Sequence, residues 1–413
     1  MSRVAVNERV LRWALERSGL TLHALERKFP KIRQWETGTS QPTLRQLESL
    51  AKATLTPLGF FFLSAPPEER LPIPHFRTLD GGSPGRPSPD LLDTVQTMQR
   101  RQAWMREFLI EQGQEPLQFV QTARVAEDPQ SISERVRRVL GLDQEWAAQQ
   151  STWTEALRVL RNAMEESGIL VVANGIVGNN THRKLDPNEF RGFVLADQYA
   201  PLVFVNGSDG KAAQMFTLAH EVAHVWFGSS AAFDLRELQP ANDRMEQACN
   251  KVAAEFLIPE VALRQFWPSV RQAPEPFQDI ARYFKVSVLV AARRVLDLGL
   301  IQRSAFLDFY RAYQEDERRV AAQRPEGGDF YASQNLRIGR RFSNAVVRAA
   351  REGKLLYSEA YQLPVFTEKR SIATQPRSAS VTALPSAPAY ILDANVFIEA
   401  ARRYYAFDLA PRF

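Results

Sequence analysis

Residues 216–227, Phe-Thr-Leu-Ala-His-Glu-Val-Ala-His-Val-Trp-Phe, constrain this chain more than any other stretch. At 3.6 residues per turn, two residues four apart lie about 40° from one another on a helix, so His220 and His224 project the same way. Met215, Leu218, Val222, Val225 and Trp226 lie to one side, and Phe216, Ala219, Ala223 and Phe227 to the other. A helix that is apolar nearly all round is a buried helix. Two imidazoles and the Glu221 carboxylate inside a core need partners, because an unpaired buried charge is costly. A metal ion is one solution, and a closed His–Glu hydrogen-bond network is the other. His-Glu-x-x-His on a helix is the arrangement in which both His hold Zn²⁺ and the Glu serves as general base toward water. The chain has only five His, so two at this spacing around a Glu favour the metal.

Two His leave a zinc site incomplete, and a third protein ligand must come from elsewhere. The pattern predicts a helix over 243–258. On it Glu246 shares a face with Cys249, Asn250, Ala253 and Leu257, which are small or apolar and pack inward. Glu255 lies nine residues on, about 180° round the helix, and is expected to face solvent. Glu246 is therefore the expected third ligand and Asp243 the alternative. Asn250, one turn beyond Glu246, is placed to hold a ligand or a neighbouring His in position. Cys249 reads as a small core residue.

Upstream, 168–173, 192–196 and 201–206 read as short buried strands, so a small sheet precedes the His-bearing helix. The strand 201–206 is the candidate edge for an extended peptide to join by strand addition. His182, Arg191 and Tyr199 are candidates for touching substrate or an oxyanion, with fold-stabilising roles as the alternative. Residues 150–167 read as an amphipathic helix, and Leu91 to about Gln112 as a spacer helix. His75, a lone His, reads as structural. Over 277–301 a helix, turn and helix recur, with Arg293 and Arg294 either on phosphates or on a packed helical pair. Helices through 304–324 and 339–352 follow.

Residues 5–65 read as short helices, with Thr21 as an N-cap. Only Phe29 to Gln34 separates the second helix from Trp35, and Pro30 limits that segment further. Residues 1–60 carry ten Lys/Arg against five Glu, a balance of +5 that equals the net charge of the whole chain. That is an electrostatic footprint for DNA, with Lys31, Arg33 and Gln34 as the candidate contacts. A module for packing or dimerisation is the alternative.

Phe216 to Glu221, taken with Glu246-Gln247-Ala248-Cys249-Asn250-Lys251-Val252-Ala253-Ala254-Glu255-Phe256-Leu257-Ile258-Pro259, resembles the ImmA/IrrE family of metallo-endopeptidases. The resemblance implies a zincin-like domain, Zn²⁺ held by His220, His224 and Glu246, and Glu221 as the catalytic base. It also implies a protein substrate, a regulator or repressor of a stress or mobile-element operon. Trp35-Glu36-Thr37-Gly38 followed by Pro42-Thr43 resembles the helix-turn-helix of Xre/Cro-like repressors, which implies DNA as a partner. Tyr390-Ile391-Leu392-Asp393, running on to Ala401, resembles the opening of a PIN-like nuclease domain and implies a PIN-like toxin as a further partner. Asp393 and Glu399 alone do not make a nuclease site.

The expected fold is α+β and mostly helical. A helix-turn-helix bundle over 1–66 leads to connector and scaffold helices over 67–149. A zincin-like peptidase domain with a small β-sheet follows over 150–310. A C-terminal helical region occupies 311–366, a Ser/Ala/Thr/Pro-rich linker 367–388, and a truncated PIN-like fragment 389–413. The expected function is a zinc-dependent endopeptidase that cuts a regulatory protein; the alternative is a DNA-binding regulator or antitoxin with a silent metal site. An apolar share of 45% with 24% charged residues describes ordinary globular protein. The longest apolar run near the start, Leu58 to Leu63, is too short to span a bilayer. Cys249 as the single Cys excludes an intrachain disulfide, and with no leader-type stretch in view a cytoplasmic protein is expected.

Overall fold

A computed structural model describes residues 3–69, 87–229, 231–233, 244–315, 337–356 and 363. The expectations for His75, Asp243, the 367–388 linker and the 389–413 fragment fall outside these residues. The chain divides into two compact units, Met1–Thr97 and Met98–Phe413.

The first unit holds α1 (Glu8–Arg17), α2 (Leu22–Lys28), α3 (Ile32–Glu36) and α4 (Leu44–Ala53). Each start has a local cause. Asn7 and Thr21 cap α1 and α2, and Thr43 with Gln46 forms a capping box for α4. Val10, Leu11, Ala14, Leu25, Ile32, Trp35, Leu47 and Leu50 make the core. Trp35 is thus spent on packing against Phe29. The segment after Pro30 leaves α3 only five residues, little more than one turn. Lys31, Arg33 and Gln34 are exposed there, and Arg33 pairs with Glu26.

Helix α5 (Pro89–Glu111) runs from the first unit into the second. Then come α6 (Pro129–Leu140), α7 (Trp153–Glu166), β1 (Leu170–Asn174), β2 (Gly192–Leu195), β3 (Leu202–Asn206), α8 (Lys211–Phe227) and β4 (Ala231–Phe233). Helices α9 (Arg244–Leu257), α10 (Glu260–Val270), α11 (Pro276–Phe284), α12 (Val288–Asp297) and α13 (Arg303–Glu315) follow, and α14 (Arg340–Arg351) closes the described set. The fold is mostly helical with one small sheet, as expected of an α+β chain. Helix α6 went unread in the sequence, although Asp128 caps it, Pro129 opens it and Gly141 ends it in the left-handed conformation.

The sheet order is β1-β3-β2-β4, with β1 and β3 parallel and the other pairs antiparallel. Strand β3 is therefore central, hydrogen-bonded on both sides. The reading of 201–206 as a substrate-accepting edge is wrong: its continuous apolar run marks burial between two neighbours, as such runs do. The described edges are β1 and β4. Helix α8 crosses the sheet against β2 and β3 and packs on α7 and α9. It lies at the centre of one core that also takes Ile132, Leu160, Cys249, Phe256, Ile280 and Val295.

Glu255 corrects a second expectation. It is 5% exposed and pairs with Arg294 of α12, while Arg137 of α6 donates to the Glu255 and Phe256 carbonyls and Arg294 to the Ile258 carbonyl. Helix α9 is covered by α6 as well as by α8, and Arg294 of α12 reaches its C-terminal end, so the face opposite Glu246 is a second interior. The two cations also satisfy the carbonyls left open at the C-terminus of α9. Arg294 is therefore not available for phosphate, and the α11–α12 pair is a packed part of the core. Arg294→Met should cost about 3–5 kcal/mol, because it strands a buried carboxylate. Arg293→Ala, at a neighbour that pairs with Asp297 on the outer face, should change stability by less than about 0.5 kcal/mol. Urea unfolding of the two variants distinguishes them.

Candidate metal centre

Each end of α8 is held from outside the helix. At its N-terminus the Gln214 amide donates to the Asp209 carbonyl. At its C-terminus Gly228 adopts φ +70° and donates to the Val225 carbonyl, and Ser229 N–H reaches the His224 carbonyl at 3.1 Å. The connecting segment before α6 completes the cap, with Gln121 N–H on the Val225 carbonyl and Ala123 N–H on the Trp226 carbonyl. Phe119 stacks on Trp226 at 4.6 Å between ring centroids. The last turn, which carries His224, is thereby tied on three successive carbonyls. A Cβ on Gly228 would fall 2.5 Å from the Gln121 side chain, so glycine is required there for space as well as for φ.

Helix α9 brings Glu246 to the two His. The His220 and His224 Nε2 atoms are 3.0 Å apart, and the Glu246 carboxylate lies 3.2 Å from one and 3.3 Å from the other. Asn250 Oδ1 is 3.0 Å from His220 Nδ1, so the ring is turned with Nε2 toward the cluster. Both His and Glu221 are fully buried, and Glu246 nearly so. Of the described residues that could offer His, Cys or carboxylate ligands to an ion, only His220, His224 and Glu246 come together.

The donor set can be tested against an ion. Zinc binds His nitrogen and carboxylate oxygen at about 2.0–2.2 Å, which puts tetrahedral neighbours about 3.3 Å apart. The three separations observed, 3.0, 3.2 and 3.3 Å, fit that edge length. The polar bookkeeping agrees. Both Glu221 oxygens and His224 Nδ1 are buried without a hydrogen-bond partner among the described residues. A closed His–Glu network would have used the first two. The residues fit a divalent cation.

Electrostatics within the protein alone point the same way. Burial holds His220 down at about 4, against the pull of Glu246. Burial pushes Glu246 up, but the facing His220 and His224 rings outweigh it and hold the carboxyl well below the usual range. Burial, aided by the Glu246 charge, raises Glu221 well above it. One carboxylate is thus kept ionised beside a His220 ring that burial keeps neutral, while its neighbour prefers its proton, a separation of roles typical of acid–base sites.

Gly192 is a part of the centre that the sequence reading missed. It lies in β2 under α8, and a Cβ there would stand 2.6 Å from Thr217 Cγ2, 2.8 Å from the Phe204 carbonyl and 3.3 Å from Glu221 Oε1. The absence of a side chain sets how closely α8, and with it Glu221, approaches the sheet. Its only sequence signal was a glycine inside a strand, which marks close backbone approach. Gly192→Ala should destabilise the protein by about 1–3 kcal/mol by overpacking. Urea unfolding checks it, and a change under 0.5 kcal/mol would show that α8 yields freely. The other candidates stand apart from the cluster. Arg191 pairs with Asp209 at 3.1 Å, Arg106 stacks over the Tyr199 ring, and His182 is exposed.

Comparison with known families adds to this geometry. Residues 164–296 match the IrrE N-terminal-like domain, Peptidase_M78, which spans α8, the whole of α9 and all three converging side chains. The match supports a metallopeptidase domain of the ImmA/IrrE type over that segment. Residues 338–363 match a domain of unknown function, DUF8813. No curated protein matches the chain.

Proposed function

We propose that the second unit is a zinc-dependent endopeptidase that cuts a regulatory protein, a repressor or a stress or toxin–antitoxin regulator, in the cytoplasm. One observation carries this reading. A fully buried glutamate, with neither oxygen hydrogen-bonded to a described residue, adjoins a His₂Glu set at the spacing of a tetrahedral ion. His220, His224 and Glu246 would hold the ion, a ligand set known for catalytic zinc. Bound there, zinc supplies Lewis acidity toward a scissile carbonyl and makes water more acidic.

The remaining work belongs to the protein. Asn250 accepts from His220 Nδ1–H and so leaves the Nε2 lone pair directed at the cluster. Glu221 takes a proton from the attacking water and returns it to the leaving amine. Its dry surroundings raise its proton affinity and let it carry that proton between the two steps. Gly192 and Thr217 hold α8 at the height that fixes where this carboxylate stands. The substrate strand has β4, beside β2, as its available described edge. Comparing the new protein N-termini in cells expressing the chain with those in cells expressing Glu221→Gln tests the reading. A regulator cut only by the unaltered chain supports it. Identical profiles reject it.

A second reading rests on the first unit. Lys31, Arg33 and Gln34 are exposed on and beside α3, within a segment carrying +5. They support a DNA-binding regulator or antitoxin in which the metal site is silent. The five residues of α3 favour phosphate contacts over deep reading of base edges. This reading expects salt-sensitive operator binding that persists in Glu221→Gln. Absence of salt-sensitive binding to any promoter fragment counts against it.

A further inference from the structure

Strand β1 ends the sheet, yet all five of its residues are buried. The ladder shows which of its groups need cover. Leu170 N–H donates to the Pro201 carbonyl, and Gly207 N–H donates to the Asn174 carbonyl. Alternate residues of a strand turn their backbone groups to the same side, so Leu170, Val172 and Asn174 address β3. Val171 and Ala173 therefore direct theirs to the open side. An uncovered row of this kind is a template for pairing with another chain.

Gly339 and the helix that follows it meet that side. Gly339 lies directly on the Val171 carbonyl: a Cβ there would stand 2.8 Å from that oxygen, and φ at Gly339 is +84°. Both facts require glycine. From this point α14 runs along β1 and α7 and buries Phe342, Ala345, Val346, Ala349 and Ala350 on one face. Its first turn is fastened to α7. Arg341 N–H donates to the buried Glu165 carboxylate, and Arg340 pairs with Glu166.

Arg101 of α5 ties Arg337 to Leu363. Arg101 is 3% exposed, and its guanidinium lies 5.7 Å over the Phe342 ring. It donates to the Arg337 carbonyl at 3.0 Å and to the Leu363 carbonyl at 3.2 Å. One planar fork thus holds two main-chain groups 26 residues apart, which a lysine ammonium on its single stem does not reproduce. We propose that residues 337–356, together with Leu363, form a clasp that closes the free edge of the sheet at β1, with Arg101 as the pin that joins Arg337 to Leu363. The described residues of the segment that matches a domain of unknown function then serve as the missing edge cover of the peptidase unit, and they do so whether or not the metal centre turns over peptide bonds.

Hydrogen exchange on the full chain, followed peptide by peptide, tests this. In Gly339→Val, exchange over 169–174 should rise at least tenfold while that of 211–227 stays within twofold of the unaltered protein. Light scattering should show self-association through the bared edge. Arg101→Lys keeps the charge and is the milder variant. It should raise exchange over both 169–174 and 340–351 without lowering the cooperativity of thermal melting. If Gly339→Val does not fold, Arg101→Lys alone decides, and unchanged exchange over 169–174 in it then overturns the edge-closing role as well. Unchanged exchange at 169–174 in a folded Gly339→Val overturns the edge-closing role, and unchanged exchange in Arg101→Lys overturns the pin.

Discussion

Glu221→Gln is expected to retain its metal ion and to lose about 10²–10⁴-fold in peptide cleavage. Glutamine has the size of the glutamate it replaces and fits the same space over Gly192. It lacks only the capacity to take up a proton. Because the native carboxylate has no hydrogen-bond partner among the described residues, stability of the metal-free variant should not fall. Elemental analysis and cleavage of the regulator identified in cells together check the prediction. Cleavage at the native rate would assign the base elsewhere, and loss of metal would make Glu221 a ligand.

His220→Ala with His224→Ala should abolish metal binding, taking content from one ion per chain to below about 0.1, since one remaining carboxylate cannot hold zinc. Asn250→Ala, which leaves all three ligands in place, should weaken affinity about 10–100-fold by releasing the His220 ring. Metal and stability are linked. At a free concentration a hundred times Kd, binding contributes about 2.7 kcal/mol to the native state. Chelation should therefore lower the melting temperature of the unaltered protein and leave the double variant where it was. A native protein that melts identically with and without chelator holds no ion in this centre.

Local patterns carried much of this molecule. The caps at Asn7, Thr21 and Thr43, the apolar runs of β1 to β3 and the periodicity of α8 each state a short-range preference, and the elements formed where those preferences lie. Glu246 was legible because its helix neighbours are small and apolar. Glu255 was not, because a helix wheel assumes a single buried face and α9 has two. A charged residue on the second is admitted only because Arg294 and Arg137 arrive from elements 39 and 118 positions away.

The edge status of 201–206 failed for a related reason. An apolar run shows that a strand is buried, and pairing partners come from anywhere in the chain. Gly192 and Gly339 were invisible as contacts, since a glycine says that space is needed without saying for what. The sequence by itself determined the helix that carries His220, Glu221 and His224, and the face of α9 that carries Glu246 and Asn250, because i to i+4 spacing is a property of each helix alone. Only the tertiary structure decided that β3 is central, that Glu255 is paired inside a second core, and how near Glu221 stands to the sheet. Those are set by which surfaces meet across long separations, and close packing admits one arrangement of them.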